Sequence, residues 1–125
     1  MATEQQRLKK RLQTVFNAYI RKRDRGKPCI SCLQHKEEMD AGHFFPVKGY
    51  EGLRYDEDNV HGECARCNRF DDSHLIFYAE NLKVRIGLRK FKGLKERAAE
   101  YKANGKKWSV PELKELIKKY NGKSR

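Results

Sequence analysis

The chain has 125 residues, enough for one domain whose modest core a cross-link or metal would help to hold. A mean hydropathy of −0.98 with 37% charged residues excludes a membrane-spanning protein, and the longest apolar run, Leu75 to Ala79, is far short of a span. The net charge of +12 is unevenly placed: residues 7–27 carry nine bases against one acid and 83–107 ten against two, while 37–80 carries eleven acids against four bases.

In chain order, MATEQQRLKKRLQ offers no apolar core of a secretory leader, so the expected location is the cytoplasm. Leu8, Leu12, Val15, Phe16, Tyr19 and Ile20 then recur at helical spacing and predict a helix ending near Gly26–Pro28. From Met39 to Val47 the pattern alternates, with Met39, Ala41, His43, Phe45 and Val47 on one face of a strand. VKGYEG reads as a loop, LRY as a second extended piece and DEDN as a turn. Leu75, Tyr78, Leu82 and Ile86 predict a helix closed by Gly87. Leu88, Leu94, Ala98 and Tyr101 suggest another, interrupted by Gly93. The last opens on a capping box, Ser109 to Glu112, continues through Leu113, Leu116, Ile117 and Tyr120, and stops before Gly122. The class is α+β in a single domain: a basic N-terminal helix over 1–28, a cysteine-bearing core over 29–87 and basic C-terminal helices over 88–125.

The basic flanks point to nucleic acid, with Arg21, Lys22, Arg23 and Arg25 in the first and Arg85, Arg89, Lys90 and Lys92 in the second as candidate contacts. The competing reading is a set of solvated helix faces.

Cys29–Cys32 and Cys64–Cys67 form two CxxC pairs, the spacing of a tetrahedral zinc site. Four thiolates leave no open position, so such a zinc is structural. A redox CxxC and disulfides are the alternatives; the first needs a parallel α/β context and the second an oxidising compartment. His35, His61 or His74 could also replace one thiol. A simple ribbon separates its pairs by about 15–20 residues; here 31 residues intervene, so the metal would staple a longer segment that presents His43 and Asn59.

CISC, DAGHFF, LRYDEDNVHGECARCN and YAENLKVRIG, preceded by AYIRKRD, resemble the phage NinG (Rap) recombination-protein family within the zinc-containing HNH (ββα-metal) endonucleases. The resemblance covers roughly residues 15 to 90. It implies a ββα-metal core and a hydrolase that cuts recombination-intermediate DNA such as a Holliday junction, leaving 5′-phosphate and 3′-hydroxyl ends in the host cytoplasm. His43 is then the general base, Asn59 the residue that holds the loop, and Asn68 a ligand of a catalytic Mg²⁺ or Mn²⁺ ion. Many such enzymes carry an Asp ligand directly before the base, where this chain has Gly42. Asp40 is the nearest carboxylate and would need a bulge at Gly42 to turn inward; Asp71 or His74 could complete the shell instead. Symmetric cutting of a junction calls for two active sites, hence a homodimer.

Each of these residues has a structural reading too: His43 as a core histidine, Asn59 as a turn former and Asn68 as a helix cap. The other function classes are a non-catalytic zinc-stabilised DNA-binding module, which Gly42 favours, and an RNA-binding zinc ribbon.

Overall fold

A computed structural model describes residues 1–70 and 74–123. Helix α1 (Glu4–Arg23) starts at a Thr3–Gln6 capping box and buries Leu12, Phe16 and Ile20. It stops three residues before the expected glycine because Asp24 turns inward: its Oδ2 accepts the Gly62 amide at 2.8 Å while Arg23 binds both carboxylate oxygens. The middle of the chain holds strands β1 (Asp40–His43) and β2 (Val60–Glu63), antiparallel and paired Asp40 to Glu63 through His43 to Val60. Helices α2 (His74–Ile86), α3 (Leu88–Asn104) and α4 (Val110–Lys123) follow.

The β-ribbon lies between two apolar clusters. Val60 and, partly, Ala41 join Phe16, Tyr55, Leu113 and Tyr120 beneath α1 and α4. Ile30 and Leu53 join Tyr78, Leu82, Phe91 and Leu94 from α2 and α3. Helices α1 and α4 run parallel: Gln5 reaches the Trp108 carbonyl at one end and Lys22 the Lys123 carbonyl at the other. The fully buried Tyr78 ties α2 to both strands, donating to the Gly42 carbonyl at 2.6 Å and lying 3.4 Å from that of Asn59.

Three local expectations are corrected. The strand from Met39 to Val47 is only four residues long, since the Phe45 amide goes to the Asn59 side chain and Pro46 has no N–H to continue the ladder. LRY is not extended: Glu51–Leu53 is a short 3₁₀ turn, and Gly52 is needed there because a Cβ would strike the Tyr101 ring. In α3 the core residue at the start is Phe91, while Leu88 is exposed, and the helix passes through Gly93 unbroken. The Ser109–Glu112 capping box is present, and α4 runs one residue past Gly122.

The Asp24 network makes a stability prediction. Burial opposes ionisation, but the Arg23 and Gly62 hydrogen bonds hold the Asp24 carboxyl at about 2. A carboxyl depressed in the folded state stabilises above its ordinary pKa and loses that contribution as pH falls from about 4 toward about 2. Burial, reinforced by Arg23, pushes the neighbouring His61 down to about 4. The unfolded chain therefore takes up that proton first, and stability also declines as pH falls from about 6.5 toward 4. Asp24→Asn is expected to lower the urea unfolding free energy at pH 7 by about 3 kcal/mol, because Arg23 is left without its anion. It would also flatten the pH dependence below 4.

Candidate functional site

The thiol cluster is built by two turns. After Pro28 the chain doubles back so that the Leu33 amide reaches the Cys29 carbonyl and the Cys29 amide the Gln34 carbonyl, with Leu33 at φ 60°. Cys64 follows β2 directly, and Cys67 lies in a π-helical turn, Arg66–Phe70. All four sulfurs lie within 4.8 Å of one another, Cys32 and Cys64 3.8 Å apart. A zinc–sulfur bond of about 2.3 Å in a tetrahedron puts the sulfurs about 3.8 Å apart, so the cluster has the size to hold such an ion. The amides of Cys32 and Cys64 point at Cys29 Sγ. Burial pushes the Cys29 and Cys67 thiols up, although at Cys64 hydrogen bonds from the neighbouring cysteines outweigh burial and lower it; four thiolates packed this closely need a cation to offset their repulsion. Among the described residues no histidine joins the group. His35 is exposed, His61 belongs to the Asp24 network, and His74 Nδ1 lies 2.7 Å from Glu63 Oε2.

His43 ends β1, half-buried, with Nε2 2.9 Å from the Arg54 carbonyl. A carbonyl only accepts, so Nε2 carries the proton and the neutral ring keeps its lone pair on Nδ1. Burial lowers the His43 pKa below the ordinary imidazole value, which the Arg54 carbonyl only partly counters. A neutral, oriented imidazole with a free nitrogen is equipped to accept a proton.

Asn59 is fully buried and acts on the loop alone. Its Oδ1 accepts from the Phe45 amide, and its Nδ2 donates to the carbonyls of Phe45 and Leu53. Asn59 thus closes the segment between the strands, and its side-chain hydrogen bonds among the described residues go to Phe45 and Leu53.

Asp40 and Asn68 come together without a bulge, since the strands pair regularly through Gly42. Asn68 Nδ2 donates to Asp40 Oδ2 at 3.0 Å, and Arg69 clasps both Asp40 oxygens. Asp71 lies outside the described residues.

One acidic residue escaped the sequence reading. Glu63 pairs with Asp40 across the ribbon, so the two side chains share a face. It is fully buried; Oε2 accepts from Ser31 and sits against His74, while Oε1 has no hydrogen-bond partner among the described residues. A Cβ at Gly42 would collide with that Oε1 and come within 3.2 Å of Asn68 Oδ1. An orphaned carboxylate oxygen and an amide oxygen therefore face one small space left by the glycine, and these hard donors suit a divalent cation. The available signal was an acid inside a four-residue strand immediately before a metal-type cysteine.

The predicted basic contacts divide. Arg21, Lys22, Arg25, Arg89, Lys90 and Lys92 are exposed. Arg23 is spent on Asp24 and the carbonyls of Glu57 and Val60, and Arg85 donates to the Pro28 carbonyl, so both serve the interior. Arg21, Arg25, Lys27 and Lys36 border an open cleft of about 520 Å³ whose lining also includes Asp24, Glu37, Glu38 and Asp40. None of the helices among the described residues is long and apolar enough to cross a membrane.

These features define a mixed α+β protein in which a four-cysteine cluster, able to hold a metal ion such as zinc, clips a two-stranded ribbon. The chain belongs to the NinG family: the model described as Bacteriophage Lambda NinG protein matches residues 2–125. Protein ninG of Escherichia phage 933W is 36% identical over 117 residues, covering 91% of this chain and 55% of that protein. Its namesakes in Salmonella phage P22 and Escherichia phage lambda are 35% identical over 115 residues and 34% over 117, each covering 91% of this chain and 54% of the relative. The chain thus spans about half the length of these relatives. No solved structure matches it.

Proposed function

We propose that this chain is a metal-dependent DNA endonuclease of the HNH type that hydrolyses phosphodiester bonds in branched DNA. The observation that carries the reading is His43: its Nε2–H is fixed on the Arg54 carbonyl, its Nδ1 is left as the basic nitrogen, and burial keeps the ring neutral near pH 7.

In this reading Nδ1 takes a proton from a water molecule as the water oxygen bonds to phosphorus. The bond to the 3′-oxygen breaks and that oxygen takes a proton from solvent, leaving a 3′-hydroxyl and a 5′-phosphate. Asn59 holds the loop, and with it Arg54 beneath the imidazole, by its bonds to Phe45 and Leu53. Asn68 and a carboxylate on its side of the ribbon would hold a Mg²⁺ or Mn²⁺ ion, which supplies positive charge to offset that of the phosphate and leaving oxygen. The thiol cluster carries zinc and fixes the ribbon. Exposed bases around the cleft near Asp40 hold the DNA backbone. A homodimer would supply a second active site, and the exposed Ile76, Phe77, Val84 and Leu88 on α2 and α3 offer it an apolar surface.

A second reading, a zinc-stabilised DNA-binding module without catalysis, is favoured by Gly42 before His43 and by the occupation of both Asp40 oxygens by Arg69 and Asn68. Incubating the zinc-loaded protein with a labelled four-way junction and a matched linear duplex, with and without Mg²⁺, separates the two. Metal-dependent cutting, stronger on the junction, is expected. Tight gel shifts with intact DNA in both Mg²⁺ and Mn²⁺ would establish the binding module.

A further inference from the structure

We infer that Glu63, reaching across from the paired strand, is the carboxylate ligand of a divalent cation bound between its Oε1 and Asn68 Oδ1 over Gly42. A buried carboxylate oxygen without a hydrogen-bond donor carries a desolvation cost, and native proteins rarely leave one so. Glu63 is fully buried, and among the described residues nothing donates to Oε1.

The surroundings fix which atom faces the gap. Ser31 and His74 both engage Oε2, which leaves Oε1 on the Gly42 side. Asn68 is oriented by its other end: Nδ2 must point at the Asp40 carboxylate, which only accepts, so Oδ1 is turned toward Gly42. Two acceptor-only oxygens thus border the same space. A cation between them resolves the conflict, and hard oxygen donors select Mg²⁺ or Mn²⁺ over softer ions. Ser31, His74, Asp40 and Arg69 then act as the outer supports that hold the ligands in place.

The glycine is central to this assignment. At position 42 any larger side chain would push Glu63 away, so the carboxylate comes from residue 63 because residue 42 makes room for it. Asp40 is left to Arg69 and to orienting Asn68.

The inference rests on the nuclease reading only for what the ion does; binding can be measured without DNA. Free Mn²⁺ would be followed by electron paramagnetic resonance during titration of zinc-loaded protein, wild type against Glu63→Gln. Circular dichroism and zinc content would check that both are folded. One Mn²⁺ per chain beyond the zinc is expected, bound at least tenfold more weakly by the variant. In wild type alone, substoichiometric Mn²⁺ should broaden the amide resonances of Gly42, Glu63 and Asn68 first. Equal Mn²⁺ affinity in the variant, or broadening centred on exposed acids such as Glu37 and Glu38, would overturn the inference. So would absence of binding with a more stable Glu63→Gln protein, the outcome for a protonated Glu63 bonded to Asn68. DNA cutting with no change in Mn²⁺ affinity in Glu63→Gln removes this site and leaves the nuclease standing. Mn²⁺ bound at Glu63 without any cutting does the reverse.

Discussion

Stripping the metal with a strong chelator is expected to abolish the cooperative unfolding transition of this protein at 25 °C, and Cys67→Ser to do nearly the same. Small domains are stable by about 5–15 kcal/mol, while structural zinc contributes apparent binding free energies of about 10–16 kcal/mol in finger peptides. Here the ion would join the turn after α1 to the end of β2, two points 32 residues apart along the chain from Cys32 to Cys64. Without it, thiolates would repel one another and neutral thiols would be left with only weak contacts such as the amides on Cys29 Sγ, and β1–β2 is only a two-stranded ribbon of four residues each. Loss should be uneven: α1 and α4 share the Phe16, Leu113, Ile117 and Tyr120 cluster, which contains no cysteine, so part of the helical signal should survive. One zinc released per chain, with the near-ultraviolet signal lost and some helicity kept, is the expected record. A chelated protein that still melts within a few degrees of the untreated one would show that the thiols are not a structural centre.

His43→Ala is expected to slow cleavage about 10³-fold while changing DNA affinity by less than about twofold, the range typical of removing a general base. Among the described residues the side chain makes one hydrogen bond, to the Arg54 carbonyl, so the cost in fold stability should be only about 1 kcal/mol. The pH profile supplies an independent check. Burial lowers the His43 pKa, so the imidazole stays neutral further into acid than a free one. The base is active when unprotonated; the acid limb of the rate should therefore have its midpoint below the ordinary value of about 6.5. Single-turnover cleavage across pH 4.5–8 measures it. A midpoint above 6.5, or a variant that cuts as fast as wild type, would remove His43 from the chemistry.

How much of this was legible beforehand depended on how local the cause was. The helices could be read because each rests on its own apolar stripe, and Ser109 with Glu112 marked a start that needs no distant partner. The thiol cluster was legible for the same reason, since two CxxC turns each fix a local geometry. The end of α1 was not, because Asp24 is drawn off by an amide 38 residues further along the chain. The strand was read on to Val47, beyond its end at His43, because Asn59, rather than a neighbouring strand, takes the Phe45 amide. Glu63 was overlooked since its meaning comes from cross-strand pairing with Asp40 and from an empty position at Gly42, neither visible in a single segment. Arg23 and Arg85 looked like surface bases by composition, whereas burial assigns them to the interior.

That last point extends beyond two residues. Arg54 is held by Gln13 and Glu51, Arg69 by Asp40, and Arg97 by Asp56 and Asp58. Lys9 and Lys106 are likewise paired with Glu51 and Glu112. The parallel α1 and α4 also bring two negative helix poles to one end of the molecule, where some cationic side chains are already engaged in offsetting them. The affinity of a polyanion falls with salt by about 0.9 powers for each phosphate whose counter-ions are displaced. That exponent counts the ammonium and guanidinium groups free to change partners. It should accordingly be far smaller than the 29 basic residues would suggest, since the bases already engaged within the fold, like any turned away from the polyanion, release no counter-ions.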